Sequence, residues 1–514
     1  MIKIIIKHTK PVPTFVGRND YFNHQRLSRS IPRTLMLKLK NKQMKKIFLI
    51  FLISIVFNAC TKDSISSRTQ EDEVKDFVWK GLNAYYLWKD EVADLQDGKF
   101  KDQNQLNDFL SSCPSPDELF ESLLYKRNEI DRWSWIVDDY EALEKMFQGV
   151  RKTTGMRLGL AYEPGFTNRV FAYVKYVLPQ SPADEAGIKR GTVFRKVHNT
   201  YLDDQNYVDL LSSEPLVIEL AQWQNNQLED TGVIITLNKE EITENPIYIS
   251  KTFNLNGKKI AYLMYNNFIP EFDRDLNEAM GIFKQQNIDE LILDLRYNSG
   301  GSVATMQYLA SMITGQFNGE ILLKYQWHLQ LQKWYLEKYP DKLYRLFTDQ
   351  MKDGTPLNKL GLDKVYIIAT KSSASASESL INCLDAYIDV IHIGTNTHGK
   401  YTASITLYDS PDFSKRGVNK HHKWAMQPIV LKIANAQGKT DFYNGLSPDF
   451  NKAEDYKNLG ILGNPSEPLL EEALNIIEGN IPLVRKPKES FKEIFYKESL
   501  LDESFYFSSI PEKK

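Results

Sequence analysis

Strand and helix patterns alternate along the second half of this chain, and this alternation restricts the possible folds more than any other feature. Short apolar runs are separated by longer segments whose apolar residues recur at helical spacing. Strands that alternate with helices pair as a parallel sheet covered by helices. We therefore predict an α/β core with these elements: strand 260–265, helix 271–286, strand 290–295, a helical stretch ending at Met312, strand 365–370, helix 376–388, strands 390–394, 403–408 and 426–433, and a helix near 467–478.

The 514 residues are enough for about three domains. Helical patterns precede a β-rich segment ahead of the core, and residues 316–360 are aromatic-rich and irregular, as expected for an insertion that shapes a cleft. We predict an α/β (α+β multidomain) protein with these parts: an upstream extension plus signal peptide (1–60), a tether (61–70), a helical N-terminal domain (71–149), a β-module (150–245), the core (246–480) and a C-terminal tail (481–514).

The N-terminus has the pattern of a targeting segment. Residues 1–46 contain 12 Lys and Arg and one acidic residue, and residues 47–60 carry no charge. The apolar run 47–57 is too short to cross a bilayer and fits a signal peptide that starts at Met44. Ala59-Cys60 resembles a bacterial lipobox, which implies that Cys60 is lipidated and tethers the protein to a membrane. An ordinary cleaved signal peptide is the alternative.

Composition excludes several classes of protein. The formal net charge is −2, so the whole chain offers no argument for binding nucleic acid. Three cysteines are too few for a disulfide scaffold, and whether Cys113 and Cys383 pair stays open. His421-His422 has no surrounding ligand pattern, and adjacent side chains in a hairpin point apart. We predict neither a metal nor a cofactor.

The β-module carries a motif of its own. The run from Ser181 to Gly191 reads SPADEAGIKRG, in which Ser-Pro begins a short helix and Gly-Ile ends it. Together with the strand 170–178 and the segment 155–160, this run resembles a PDZ domain. The resemblance implies that a peptide C-terminus binds near Met156, Arg157, Leu158 and Gly159. The alternative is a β-module whose glycines only turn the chain.

Residues 372–400 concentrate the reactive side chains. The run from Ser372 to Glu378 joins a predicted strand to a helix, and free N–H groups at a helix N-terminus can stabilise an oxyanion. A serine needs a nearby base to become nucleophilic. Lys400 follows the next strand, and loops after adjacent parallel strands meet at one edge of the sheet, so Lys400 can face Ser375. A Ser–His arrangement through His398 is the alternative. A solvated helix cap and an exposed lysine are the non-catalytic interpretation.

The full set of motifs resembles the C-terminal processing peptidases, also called tail-specific proteases. The motifs occur in the same order: the tether, the PDZ-like module, Asp294 to Gly301 (DLRYNSGG), Ser375 to Glu378 (SASE) and Gly399-Lys400. The resemblance covers roughly residues 71–480. The resemblance implies a Ser–Lys endopeptidase on a ClpP/crotonase-like β/α core, with the PDZ-like module presenting polypeptide tails.

The resemblance also implies roles for single residues. The family separates nucleophile and lysine by 25 residues, which selects Ser375 over Ser373 and Ser377 as partner of Lys400. It implies an oxyanion hole from the amides of Ala376 and of the Gly300-Gly301 turn. Glu378 shares a helix face with Ser375 and is expected to orient Lys400. Ser404 stands where the family often has a glutamine that holds the lysine amine.

Two functions follow as hypotheses. The first is a lipid-anchored serine endopeptidase of the bacterial envelope, facing the periplasm or the cell surface, that cleaves polypeptides near accessible C-termini. The second is a catalytically weak or inactive relative that binds peptides or apolar ligands, since fold does not decide function. The presence of both Ser375 and Lys400 favours the first.

Overall fold

The computed structural model describes residues 69–480 and the backbone of residues 493–494. The predicted signal peptide, Cys60 and nearly all of the predicted tether and tail lie outside the described residues. Within the described part, no helix is both long enough and apolar enough to cross a membrane.

The described part of the chain contains eleven α-helices, and sequence signals explain several of their starts. Ser115 caps one helix by accepting the N–H of Glu118 at 3.3 Å, as its position before Pro116 predicts. The helices are α1 (Gln70–Tyr85), α2 (Gln103–Ser111), α3 (Pro116–Ser122), α4 (Tyr140–Phe147), α5 (Pro182–Glu185), α6 (Tyr207–Ser212), α7 (Asp273–Gln286), α8 (Val303–Thr314), α9 (Leu329–Lys338), α10 (Ala376–Leu384) and α11 (Pro468–Ile477).

The same described residues form 22 strands. They are β1 (Trp135–Val137), β2 (Val150–Thr153), β3 (Met156–Tyr162), β4 (Val170–Val177), β5 (Val193–Val197), β6 (Thr200–Tyr201), β7 (Leu216–Gln224), β8 (Gln227–Leu237), β9 (Glu240–Thr243), β10 (Ile247–Leu255), β11 (Lys258–Tyr265), β12 (Glu290–Asp294), β13 (Ile321–Trp327), β14 (Tyr344–Leu346), β15 (Lys364–Ala369), β16 (Asp389–Gly394), β17 (Thr402–Ser404), β18 (Leu407–Tyr408), β19 (Ala425–Gln427), β20 (Ile429–Asn435), β21 (Phe450–Asn451) and β22 (Glu493–Ile494).

The central sheet has the order β10-β11-β12-β15-β16-β21. Strands β11, β12, β15, β16 and β21 run parallel, and β10 pairs antiparallel at one edge. Helices α7, α8 and α10 contribute to the core on one face and α11 to the core on the other. Burial on both faces explains the near-continuous apolar runs of the central strands. The mixed α/β multidomain fold predicted from the alternation is confirmed.

The β-module forms its own sheet in the order β22-β3-β4-β5-β7-β8, with β6 beside β5. Its core includes Leu160, Val170 and Phe194. Ser181 caps α5 through the N–H of Asp184, Pro182 occupies the first turn, and Gly187 follows in the left-handed region, as the sequence predicts. On the outer side of β3, Leu160 and Ala161 pair antiparallel with Ile494 and Glu493.

Four local predictions are wrong in detail. The helix predicted over 376–388 ends at Leu384, where the chain turns through an N–H bond from Tyr387 to the carbonyl of Leu384. The 316–360 segment has regular structure rather than the irregular one predicted. It contains the helix α9 and the strands β13 and β14, which belong to a four-stranded sheet of order β14-β13-β20-β17. The predicted strand 426–433 divides at Pro428, because proline has no N–H for the ladder.

The predicted strand 403–408 divides as well. Its first part, β17, pairs with β20, and its second part, β18, pairs with β19. Strand β1 of the N-terminal domain pairs with the other side of β19. The N-terminal domain is therefore joined to the core by a shared sheet as well as by side-chain packing.

Candidate active site

Three turns meet at the carboxyl ends of the central parallel strands. β12 leads into the turn Arg296–Gly301, β15 into the loop that ends at Ser375, and β16 into the loop that contains Lys400. Backbone bonds join these turns directly: the N–H of Ala374 donates to the carbonyl of Asn298 at 3.1 Å. The sequence prediction that these loops share one sheet edge is confirmed.

Ser375 lies at the strand-to-helix turn in a strained backbone conformation. Its φ is 56° and its ψ is −112°, and it is the N-cap of α10. A non-glycine residue rarely occupies this region, and such strain is concentrated at functional sites. Ser373 and Ser377 are buried, and their hydroxyls donate to the carbonyls of Leu295 and Asn298. Of these three serines, Ser375 is the partly exposed one.

Gly300 lies against the Ser375 side chain. A Cβ added to Gly300 would lie 2.8 Å from the Cβ of Ser375 and 3.0 Å from the nitrogen of Ala376, and its φ of +113° also favours glycine. The N–H of Gly300 donates to Oδ1 of Asn298 at 2.9 Å. That amide is therefore occupied, and Gly300 contributes mainly by the absence of a side chain.

Gly301 pairs with Phe268 in an isolated parallel bridge. The bonds of that bridge are made by the carbonyl of Gly300 and the N–H of Ser302. In a parallel bridge the central residue's own N–H points away from the partner strand, so the Gly301 amide faces away from Phe268. Ala376 is the first residue of α10, and its N–H is among those that a helix leaves without an intrahelical partner.

Glu378 ties the Ser375 and Lys400 backbones together. Its side chain is fully buried, and Oε2 accepts the N–H of Ser375 at 2.9 Å and that of Lys400 at 2.8 Å. Oε1 accepts the N–H of Gly399 and the hydroxyl of Thr397, both at 2.6 Å. Burial raises the pKa of Glu378, and these four donors oppose that rise. The contact between Glu378 and Lys400 is thus made to the lysine's backbone N–H rather than to its amine.

Burial lowers the pKa of the Lys400 amine, which is the direction expected for a general base. The carboxylates of Asp131 and Glu378 oppose this shift, and Asp131 has the larger effect. A lysine with a lowered pKa has more of the neutral amine that can accept a proton from a hydroxyl.

His398 is held by the N-terminal domain. Nε1 of Trp133 donates to Nε2 of His398 at 3.3 Å. Burial and the charges of Arg132 and Lys371 lower the pKa of His398 to about 4, so the ring is neutral near pH 7. An indole N–H only donates, so Nε2 is the ring's acceptor nitrogen and its lone pair is used. This arrangement counts against His398 as the base for Ser375.

Sequence reasoning missed three residues around this site. Asn298 was seen only as part of a motif, yet its side chain donates to the carbonyl of Tyr265 and accepts from Gly300. Asp131 and Trp133 belong to a domain in which no chemistry was expected. Of these three residues, only Asn298 could have been recognised from the sequence, because an asparagine two residues before Gly300-Gly301 is suited to stabilising a tight turn through its side-chain amide.

The four residues predicted to bind a peptide all belong to β3 and are buried. The guanidinium of Arg157 lies 2.6 Å from Oε2 of Glu244, which neutralises it. Gly159 lies under the ring of Tyr173, whose Cζ would be 2.1 Å from an added Cβ. Met156 and Leu158 pack in the core of the module. The side chains thus have packing roles, and the backbone of β3 is the part suited to binding a peptide.

The remaining candidates have ordinary surroundings. Cys113 and Cys383 are free thiols, so they do not pair. The rings of His421 and His422 approach different carboxylates, Glu73 at 3.1 Å and Asp409 at 3.0 Å.

Comparisons with known proteins relate this chain to a peptidase family. Residues 259–451 match the sequence family described as Peptidase family S41, and residues 73–135 match the Peptidase S41 N-terminal domain. The Carboxyl-terminal-processing protease of Picosynechococcus sp. is 24% identical over 243 residues, 46% of this chain and 52% of that protein. The chloroplastic Carboxyl-terminal-processing peptidase 2 of Arabidopsis thaliana is 28% identical over 173 residues, 32% of each chain.

The chain thus spans about half or less of the length of these curated relatives. A crystal structure described as "Putative S41 protease from Bacteroides fragilis" aligns with 79% of this chain and 98% of that one, with a TM-score of 0.61 and 22% identity. This likeness shows a shared fold.

Proposed function

This chain belongs to peptidase family S41, and from that premise we propose that it is a serine endopeptidase that uses Ser375 as nucleophile and Lys400 as general base. The observation that carries the proposal is the Glu378 carboxylate, one oxygen of which binds the backbone N–H groups of both residues. A buried acceptor shared in this way fixes the relative position of the two loops, as nucleophile and base require.

The reaction follows the chemistry of acyl transfer. Neutral Lys400 takes the Ser375 hydroxyl proton while the oxygen attacks the substrate carbonyl carbon. The amides of Gly301 and Ala376 stabilise the developing oxyanion, and the Lys400 ammonium protonates the leaving amine. Water then hydrolyses the acyl-enzyme with Lys400 again accepting a proton. The alternative is a peptide-binding protein of the same fold in which Ser375 is unreactive.

Covalent labelling distinguishes these two functions. A fluorophosphonate probe forms a phosphonate ester with an activated serine and releases fluoride. We therefore expect mass spectrometry to find the label on Ser375, and Lys400→Ala to abolish it. Ser372→Ala is the matched control, because Ser372 is also partly exposed in the same run, and it is expected to label normally. Absence of label on Ser375 in the folded protein would favour the non-catalytic alternative.

The β-module is proposed to bind the C-terminal tails of polypeptide substrates as an added strand on β3. Supporting this role, β3 is otherwise the outer strand of its sheet and already pairs with two residues, Glu493 and Ile494, of the same chain. A strand on an open edge provides main-chain bonds to an extended peptide. A substrate tail would have to replace this internal pairing.

Peptide binding tests this role. A peptide with a free C-terminal carboxylate and an apolar last residue is expected to bind. The same peptide with an amidated C-terminus is expected to have an affinity lower by a factor of about ten or more, because charge-assisted hydrogen bonds to backbone N–H groups are lost. Isothermal titration calorimetry measures both affinities. A protein ending at residue 480, without β22, is expected to bind the acid peptide more tightly. Equal affinities for acid and amide would exclude a tail-binding module.

Membrane anchoring is a separate proposal, supported by the lipobox-like sequence before Cys60. Metabolic labelling with a fatty-acid analogue is expected to mark the protein expressed in a bacterial host, and Cys60→Ala is expected to remove the label and release the protein from membranes. More than one acyl chain gives stable anchoring, so fractionation provides a second readout. An unlabelled parent protein would leave the ordinary signal peptide as the alternative.

A further inference from the structure

The loop from Asp131 to Ser134 brings the N-terminal domain against the Lys400 loop. Arg132 stacks on the Tyr443 ring at 4.2 Å and donates to the Tyr443 carbonyl at 3.2 Å. Ser134 Oγ accepts the N–H of Ile429 at 2.9 Å. Trp133, between these two residues, donates to His398. Of these four consecutive residues, three contact the core through hydrogen bonds.

Asp131 fixes the shape of this loop. Its Oδ1 accepts the N–H groups of Trp133 and Ser134 at 3.1 and 2.9 Å, and its Oδ2 accepts the Tyr86 hydroxyl at 2.8 Å. The carboxylate is fully buried, and Nη1 of Arg127 is 4.0 Å from Oδ1. An ionised carboxylate only accepts hydrogen bonds, so three donors fit its charged form.

The charges around Lys400 come from several elements. Asp131 and Glu378 supply negative charge to the amine. Arg132, Lys371 and Lys400 itself supply positive charge around His398. In a buried site a fixed anion favours the ammonium form of a nearby amine.

We propose that Asp131 is a positioning residue for the lysine base: it fixes the loop that seats Trp133 on His398, and its fixed negative charge stabilises the ammonium formed when Lys400 takes the Ser375 proton. In that step the Oγ–H bond breaks and an Nζ–H bond forms. The Oγ electron pair forms the bond to the substrate carbonyl carbon, while the C=O π bond breaks and its electron pair moves to the carbonyl oxygen, which becomes the oxyanion. The inference rests on the proposed Ser–Lys function and deepens it.

The pH dependence of kcat/KM on an unfolded protein substrate tests the inference. The parent's rate is expected to rise with pH through the ionisation of Lys400, because the neutral amine is the base. Asp131→Asn removes the anion, lowers the pKa of the amine and is expected to move the acidic side of this pH profile to lower pH. The plateau rate is expected to fall as well, because a less basic amine removes the serine proton more slowly.

Asp138→Asn removes the same formal charge from an exposed position seven residues along the chain and is expected to leave the pH profile unshifted. If the role of Asp131 were purely structural, Asp131→Asn would lower kcat/KM at every pH without shifting the pH profile. That result in a folded variant would overturn the inference. Thermal unfolding establishes that each variant is folded.

Trp133→Phe provides the second variant if Asp131→Asn does not fold. It keeps the ring but loses the N–H donor to His398, so kcat is expected to fall about tenfold with KM unchanged. An unchanged kcat overturns the inference. Ser375→Ala and Lys400→Ala are measured alongside. If these two variants retain activity, the proposed function fails. If they are inactive but the pH profile of Asp131→Asn is not shifted, only the inference about Asp131 fails.

Discussion

Ser375→Ala and Lys400→Ala are each expected to reduce turnover of an unfolded protein substrate by about 10⁴-fold or more, while the fold and peptide binding persist. Removing the nucleophile prevents the acyl-enzyme, and removing the amine leaves the hydroxyl without a base. Because nucleophile and base act as a unit, the double variant is expected to be no slower than either single variant. Initial rates of casein hydrolysis measure all three.

Two control variants keep this result specific. Ser372→Ala changes a neighbouring serine, and Lys439→Ala removes an exposed lysine that pairs with Asp385 at the surface, so both are expected to retain activity. Near-normal rates in Lys400→Ala together with loss in His398→Ala would replace the lysine assignment by the histidine one. Such an outcome would also require His398 to exchange its bond with Trp133 for one with Ser375.

Glu378→Gln is expected to have the second-largest effect, and it affects stability and rate together. All four groups bound to this side chain can donate. A glutamine has one acceptor oxygen, so its NH2 group must face one of the two pairs of donors. The pair with Thr397 accommodates the NH2 group, because the Thr397 hydroxyl can rotate and accept a hydrogen bond from it. The N–H of Gly399 is then left unpaired in a buried site, which costs about 1–3 kcal/mol of unfolding free energy.

The same substitution is expected to lower kcat by about 100-fold, since the loops that carry nucleophile and base lose their common acceptor. Asp385→Asn, one residue beyond α10 and exposed, is the matched control and is expected to change the unfolding free energy by less than about 0.5 kcal/mol. Urea unfolding and steady-state kinetics measure the two effects. If Glu378→Gln matched the parent protein in both, the shared acceptor would not organise the site.

Local sequence determined the elements and their order. The central strands are recognisable because burial on both faces requires continuous apolar runs, and helix starts such as α5 carry their caps in the sequence. The element boundaries at Pro428 and at the end of α10 differ from the sequence prediction, because they depend on which sheet or turn the chain joins next. The family motifs gave Ser375, Glu378 and Lys400 as candidates.

Tertiary structure decided how these candidates are supported. Trp133 and His398 are 265 positions apart, and neither periodicity nor motif spacing predicts their contact. Likewise, the β-rich pattern predicted the module around Arg157, but only the folded chain shows that Glu244 neutralises its charge. The motifs indicated which residues are candidates for chemistry, and helix and strand periodicity indicated which elements carry them, because both are local properties of the chain. The buried groups that contact the Lys400 backbone and the His398 ring are visible only in the folded protein, because burial and electrostatic environment depend on residues distant in the chain.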